Sequence, residues 1–317
     1  MHQYPPRDII QTKDGNFIIC GSIFRSATNS DIVVAKINGS EGKVSKSYSF
    51  GGENFDFGSS IMQTQDGGFI IAGLNSSSGG RIRATTDPLG GYDMYIIKLN
   101  ADGVAEWDSK FGGAGYDSGA TAIELPDKSY IVCGASSSIG SKGSNDVFIV
   151  RTNSIGQRIG NPIYYGDTEE DVAHAMKSTS DGGFIISGFT ASTKEQTNGG
   201  KDFFLLKIRN DGSLGWKKPF GSTDDEISFD VIETTKKEFF AIGSTENGNN
   251  PNSPQVYYVK TNAKGDEIGK KVLNLQTFGR GASLIETPDC GLMIFGTSFN
   301  NNSKDFLLIK TDENGDF

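Results

Sequence analysis

At 317 residues, with 35% apolar and 22% charged residues and 42 Gly against 9 Pro, the chain has the composition of a turn-rich fold with short buried segments rather than long amphipathic helices. A net charge of -9 argues against nonspecific binding to phosphate backbones, which needs a basic footprint. No stretch approaches the ~20 apolar residues that span a bilayer, and the opening MHQYPPRD lacks the apolar core of a signal peptide.

In chain order, the first predicted element pair is the phrase Gln11-Thr12-Lys13-Asp14-Gly15-Asn16-Phe17-Ile18-Ile19, and Gln63-Thr64-Gln65-Asp66-Gly67-Gly68-Phe69-Ile70-Ile71 repeats it. Weaker copies open at Glu124, Ser178, Glu233 and Glu286, which sets six repeats with a period of about 54 residues. A second phrase follows inside each period, best seen as Asp93-Met94-Tyr95-Ile96-Ile97-Lys98, with copies from Asp31, Asp146, Asp202 and Asp305 and with Gln255 in the remaining repeat. A third phrase closes the unit, as in Trp107 to Phe111-Gly112-Gly113 and Trp216 to Phe220-Gly221. The first Gly of that phrase precedes the next anchor by a constant 12 residues at Gly51, Gly112, Gly166 and Gly221.

Each period therefore holds four short runs rich in Ile, Val, Phe and Tyr, separated by Gly, Asn, Asp and Ser, the pattern of β-strands joined by tight turns. Along the second strand of repeat two, Phe69 and Ile71 point one way and Ile70 and Ala72 the other, and both sets are apolar. A strand apolar on both faces is sandwiched between neighbours. No repeat contains a Gly-free amphipathic run long enough for a helical solenoid, and β-helix coils are much shorter than this period. The predicted fold is all-β: a six-bladed β-propeller forming a single domain over 1–317, with four strands per blade. The sixth repeat runs out at Asp312 to Phe317, before its fourth strand. Three readings stay open there: a three-stranded blade, an edge supplied by residues 2–6, or a native chain that continues.

The pattern resembles a widespread group of bacterial propeller repeats with the unit Gln-Thr-x-Asp-Gly-Gly-Phe-Ile-Ile-x-Gly, then Asp-x-aromatic-aliphatic-Lys, then Trp and Phe-Gly-Gly. Gln63 to Gly73, Asp93 to Lys98 and Trp107 to Gly113 carry the likeness best. The resemblance implies a secreted, periplasmic or surface-anchored location, often as an envelope lipoprotein, and no shared activity. A fainter likeness to quinoprotein propellers rests on Trp107 and Trp216 alone, and no cofactor is expected.

Candidate site residues follow from the register. Seven residues before their anchors stand Asp56, Asp117, Asp171 and Glu226, on the connection into the next blade and towards the mouth of the predicted channel. They are candidates for a cation or sugar-hydroxyl site, with local turn capping as the alternative. The loop from Gly73 to Asp93 is the longest of its kind and carries Arg81, Arg83, Asp87 and Tyr92, so it is a candidate recognition loop. Cys20 and Cys133 share a strand position in non-adjacent blades, Cys290 occupies a turn, and no disulfide framework is expected. His174 is the one histidine inside the repeats, so a histidine-dependent metal site or triad would rest on it alone, and its neighbour Asp171 leaves a general-acid role open. The Gly-rich stretches lack the Lys-Ser/Thr ending of a phosphate loop. The expected function is a non-catalytic binding or interaction scaffold, a monomer with a protein or glycan partner. The alternative is a carbohydrate-active hydrolase or lyase using those carboxylates as acid and base.

Overall fold

The computed structural model describes residues 7–76, 91–138, 140–191, 200–246, 253–273, 275, 277–300 and 303–316. It is all-β, and its consecutive antiparallel sheets are the blades of a six-bladed β-propeller, five of four strands and the last of three. The chain divides into two compact units, Met1–Tyr165 and Gly166–Phe317.

The first unit holds three blades. Blade 1 is β1 (Asp8–Gln11), β2 (Phe17–Ser26), β3 (Asn29–Ile37) and β4 (Val44–Phe50); blade 2 is β5 (Asp56–Gln63), β6 (Phe69–Asn75), β7 (Asp93–Leu99) and β8 (Ala105–Phe111). Blade 3 is β9 (Asp117–Glu124), β10 (Tyr130–Ser136), β11 (Asp146–Thr152) and β12 (Ile163–Tyr165). In the second unit, blade 4 is β13 (Asp171–Ser178), β14 (Phe184–Thr190), β15 (Asp202–Ile208) and β16 (Leu214–Phe220). Blade 5 is β17 (Asp225–Glu233), β18 (Phe239–Glu246), β19 (Gln255–Thr261) and β20 (Glu267–Val272). Blade 6 is β21 (Phe278–Glu286), β22 (Leu292–Asn300) and β23 (Ser303–Thr311). Every sheet is a meander in which strands adjacent in sequence pair.

The two-faced strand predicted from the sequence does what its pattern requires. Phe69 and Ile71 of β6 pack with Ile18, Cys20, Ile32 and Val34 of blade 1, while Ile70 and Ala72 pack with Ala122 and Val132 of blade 3. The second unit repeats the arrangement, with blade 4 against blade 5 through Phe203, Leu205, Phe239 and Ala241, and blade 5 against blade 6 through Phe240, Ile242, Leu284 and Ile294. Each buried aliphatic or aromatic side chain stabilises by about 1.5–3 kcal/mol relative to exposure, so the core is a series of inter-blade layers rather than one central mass.

Polar residues of the repeated phrases fix the turns. In the first hairpin of blade 2 the Thr64 hydroxyl donates to Asp66, whose carboxylate also takes the N–H of Gly68 and the ammonium of Lys98. Lys207 meets Asp181 and Lys310 meets Asp289 in the same way. The lysine of the second phrase therefore stitches the third strand to the first turn. Burial works against the charge on Asp66, but the Lys98 ammonium and the Thr64 hydroxyl outweigh it and hold that carboxyl at about 2. The aromatic of the third phrase docks on the next blade: Gly156, at φ 78°, lies so close under Trp107 that a Cβ there would stand 2.6 Å from its ring. Trp216 covers Gly265 likewise.

Candidate functional site

The four predicted acids are placed by the strand starts. Asp56, Asp117 and Asp171 are the first residues of β5, β9 and β13, and Glu226 is the second of β17. They thus open the innermost strand itself rather than lying in the connection before it. All four are fully buried. Each accepts the N–H of the residue four positions earlier: Gly52 at 2.8 Å, Gly113 at 2.9 Å, Asp167 at 3.3 Å and Ser222 at 2.8 Å. The acid therefore closes the Phe-Gly-Gly connection into a loop, which explains the constant spacing in the sequence.

Each carboxylate also takes a side-chain donor, which differs from blade to blade. Asn75 donates to Asp56, Ser138 Oγ to Asp117 at 2.6 Å, and Thr245 Oγ1 to Glu226 at 2.8 Å. Asp171 instead pairs with the buried Lys217 ammonium at 2.7 Å. The Asp that begins the third strand of the preceding blade approaches the same loop. Asp93 and Asp117 converge on Gly112, Asp31 and Asp56 on Gly51, and Asp202 and Glu226 on Gly221, each leaving no space for a Cβ. The repeated glycine of the third phrase is thus required by two carboxylates that meet over it.

The Asp93–Asp117 pair brings two buried carboxylates together over Gly112. Oδ1 of each is buried without a hydrogen-bond partner. Burial pushes Asp93 up to about 6 against the pull of Lys110, and the Asp117 carboxylate adds to the rise. Burial also lowers Lys110, which Asp93, Asp56 and Asp108 partly restore. Among the described residues no group of three His, Cys, Asp or Glu side chains is arranged to hold a metal ion. A cavity of about 150 Å³ between blades 1 and 2 is lined by Val34, Lys36, Tyr48, Phe69 and Asp102, away from the acids. That is below the ~300 Å³ of an ordinary small-molecule pocket.

The accessible chemistry lies one residue before each clamp acid. Phe55 and Tyr116 occupy that position in the first unit, each bridging in parallel to the preceding blade, at Ser30 and Tyr92. Their N–H groups are held by Ser76 Oγ at 3.0 Å and Ser137 Oγ at 2.8 Å. With the backbone pinned and the next residue turned inward, the ring is directed outward. Phe55 stacks on Phe57 at 6.0 Å, with planes 9° apart, and Phe24 meets both edge-on. Tyr92 and Tyr116 form a tilted pair at 5.5 Å. All five rings are at least partly exposed. The sequence signal for this surface is the residue eight positions before the anchor, which the reading by carboxylates passed over.

The same register position in the second unit is acidic. Glu170 pairs with Lys201 at 3.2 Å, and Asp225 accepts the Lys201 N–H. The Lys201 ammonium lies 4.1 Å from the centre of the Phe189 ring. His174 is set off the ladder by a bulge between Ala173 and Ala175. Its Nδ1 donates to the Ser228 carbonyl at 2.8 Å, and its ring stacks on Phe229.

Of the predicted recognition loop, Tyr92 is in the aromatic group, while Arg81, Arg83 and Asp87 lie outside the described residues. Cys20 and Cys133 are buried free thiols, and burial pushes Cys133 up to about 12. Cys290 is also free, in a turn at φ 64°.

No protein-family model matches the chain. No curated protein matches it. Solved structures do. An α-L-arabinofuranosidase of Fusarium graminearum, solved with arabinobiose, aligns with TM-score 0.60 and 10% identity over 96% of this chain and 92% of its own. The polysaccharide lyase Uly1 aligns with TM-score 0.53 and 10% identity, over 96% and 80%. A Trypanosoma rangeli sialidase bound to sialic acid aligns with TM-score 0.52 and 9% identity over 98% of this chain. The chain spans about half, 54%, of that sialidase. At such identities the likeness is one of propeller fold.

Proposed function

We propose that this chain is a carbohydrate-binding propeller of the bacterial cell envelope that holds its ligand without cleaving it. The observation that carries this reading is two groups of partly exposed rings in the first unit, the cluster Phe24, Phe55 and Phe57 and the pair Tyr92 and Tyr116. A pyranose or furanose ring has one face of C–H groups that stacks on an aromatic face, and hydroxyls around its rim that tyrosine can bond. The location follows from the repeat resemblance.

The carboxylates support binding over catalysis. A general acid needs reach to a glycosidic oxygen, and Asp56, Asp117, Asp171 and Glu226 are buried and bonded into their own turns. The sugar-cleaving activities named for the neighbouring structures favour a second reading, a hydrolase or lyase.

One experiment separates the two. The purified chain is screened by thermal shift against neutral, acidic and amino-sugar glycans, and every glycan that shifts it is then incubated and checked for new reducing ends or unsaturated products. The proposal expects a saturable upward shift, since a ligand bound only to the native state stabilises by mass action, with no products. Phe55→Ala and Tyr116→Ala should each weaken binding at least about tenfold, the loss of roughly 1.4 kcal/mol. Product formation would favour the enzyme reading, and absence of any shift would sink both.

A further inference from the structure

The forward face of the last blade is an apolar layer whose covering is absent. In blade 5 the face turned towards blade 6 is Ile232, Phe240, Ile242, Val256 and Tyr258, and blade 6 seals it. By the repeat register, the same positions in blade 6 are Ile285, Met293, Phe295, Phe306 and Leu308. Four of these are open: Ile285 is 60% exposed, Phe295 45%, Phe306 88% and Leu308 66%. They share one side of the sheet, since Phe295 pairs with Leu308 and Ile285 with Met293 across the ladders, and the Phe295 and Phe306 rings are 5.7 Å apart. The opposite side of the same blade, with Leu284, Leu292, Ile294 and Ile309, is fully packed.

Blade 1 carries the complementary surface. The positions by which a blade seals its predecessor are Ile61, Phe69, Ile71, Tyr95 and Ile97 in blade 2, all buried. In blade 1 they are Ile9, Phe17, Ile19, Val33 and Ala35. Ile9 is 58% exposed and the other four are half-buried, whereas their neighbours Ile18, Cys20, Ile32 and Val34 on the other side are buried. Gln11 is exposed as well, at the position from which Glu124, Glu233 and Glu286 accept a backbone N–H of the preceding blade.

We propose that the forward face of blade 6 docks the rear face of blade 1 of a second copy of this chain, head to tail. The chemistry of both halves is that of the blade-to-blade layers already present within each unit, which is why the occupant is a blade of this repeat rather than an unrelated partner. Exposed apolar layers of this extent mark association surfaces. A head-to-tail contact is heterologous, so it leaves one free face of each kind at the ends of a dimer and allows further addition.

The test uses the full chain and two variants, Phe306→Asp/Leu308→Glu and Ile9→Asp. Sedimentation equilibrium over a range of concentrations should show the unaltered chain rising reversibly from the mass of one chain to that of two and beyond. Each variant alone should stay at the mass of one chain. A mixture of the two variants should form dimers and stop there, because only one matched pair of faces survives. Substitution at such exposed positions leaves each blade's packed side intact, and unchanged far-UV spectra and unfolding midpoints check this; an Ile9→Ser variant replaces Ile9→Asp if that one unfolds. Wild-type chain at single-chain mass throughout, variants that associate as well as wild type, or a mixture that fails to dimerise would each overturn the proposal.

Discussion

Asp93 shows how one buried acid turns a repeated motif into a pH-dependent liability. In the unfolded chain its carboxyl titrates near 3.8, whereas in the native protein it holds its proton to about 6. The native state binds more protons over that interval, so this group's contribution to stability falls as pH rises from about 4 to about 6. Asp93→Asn keeps the shape and removes the ionisation. Urea midpoints for the variant should vary less over that interval and be higher than wild type at pH 7; an unaltered pH slope would remove Asp93 as its source. Backbone strain offers a second residue-scale test. Lys237 sits at φ 64° in the turn position filled by Gly15, Gly67 and Gly182 in other blades. A residue with a Cβ loses about 1–2 kcal/mol in that conformation, and Gly regains it less the entropy of a looser unfolded chain. Lys237→Gly should raise stability by about 0.5–1 kcal/mol, read as a higher urea midpoint at constant m-value.

The blade is the element at which the sequence phrases acquire their purpose. An acid at the start of the inner strand closes the Phe-Gly-Gly loop, a lysine in the third strand ties down the first turn, and an aromatic on the fourth strand lies over the next blade's turn. Blade 4 departs from its fellows in spending its acid on an ion pair, Asp171 with Lys217. Removing one partner of a buried pair costs about 3–5 kcal/mol, whereas replacing the pair by apolar groups is close to neutral. Asp171→Asn should therefore lower stability by that amount, and adding Lys217→Met should recover most of it in calorimetry. A double variant no more stable than the single one would show that the loop closure, not the charge, is what Asp171 supplies. The sixth blade is three-stranded and seals its predecessor with one face. The unit of this fold is thus the layer between blades rather than the blade.

For the whole molecule, function follows from how the repeats differ. One register position carries Phe55 and Tyr116 in the first unit and Glu170 and Asp225 in the second, so the same backbone presents stacking rings in one and paired charges in the other.

The sequence by itself determined the number of blades, the strands within them and the two-sided burial of the central strands, because all of these follow from local turn chemistry and a period of two repeated at a fixed spacing. The copies that open at Gln11, Gln63, Glu124, Ser178, Glu233 and Glu286 carry that inference. It also located Asp56, Asp117, Asp171 and Glu226 as special positions. What they do was decided only by the tertiary structure, since the partner of each is either a loop N–H four residues back or a side chain some 19 to 46 residues away. The aromatic surface was equally hidden: Phe55 and Tyr116 differ from core aromatics only in that a buried neighbour and a pinned backbone direct them outward.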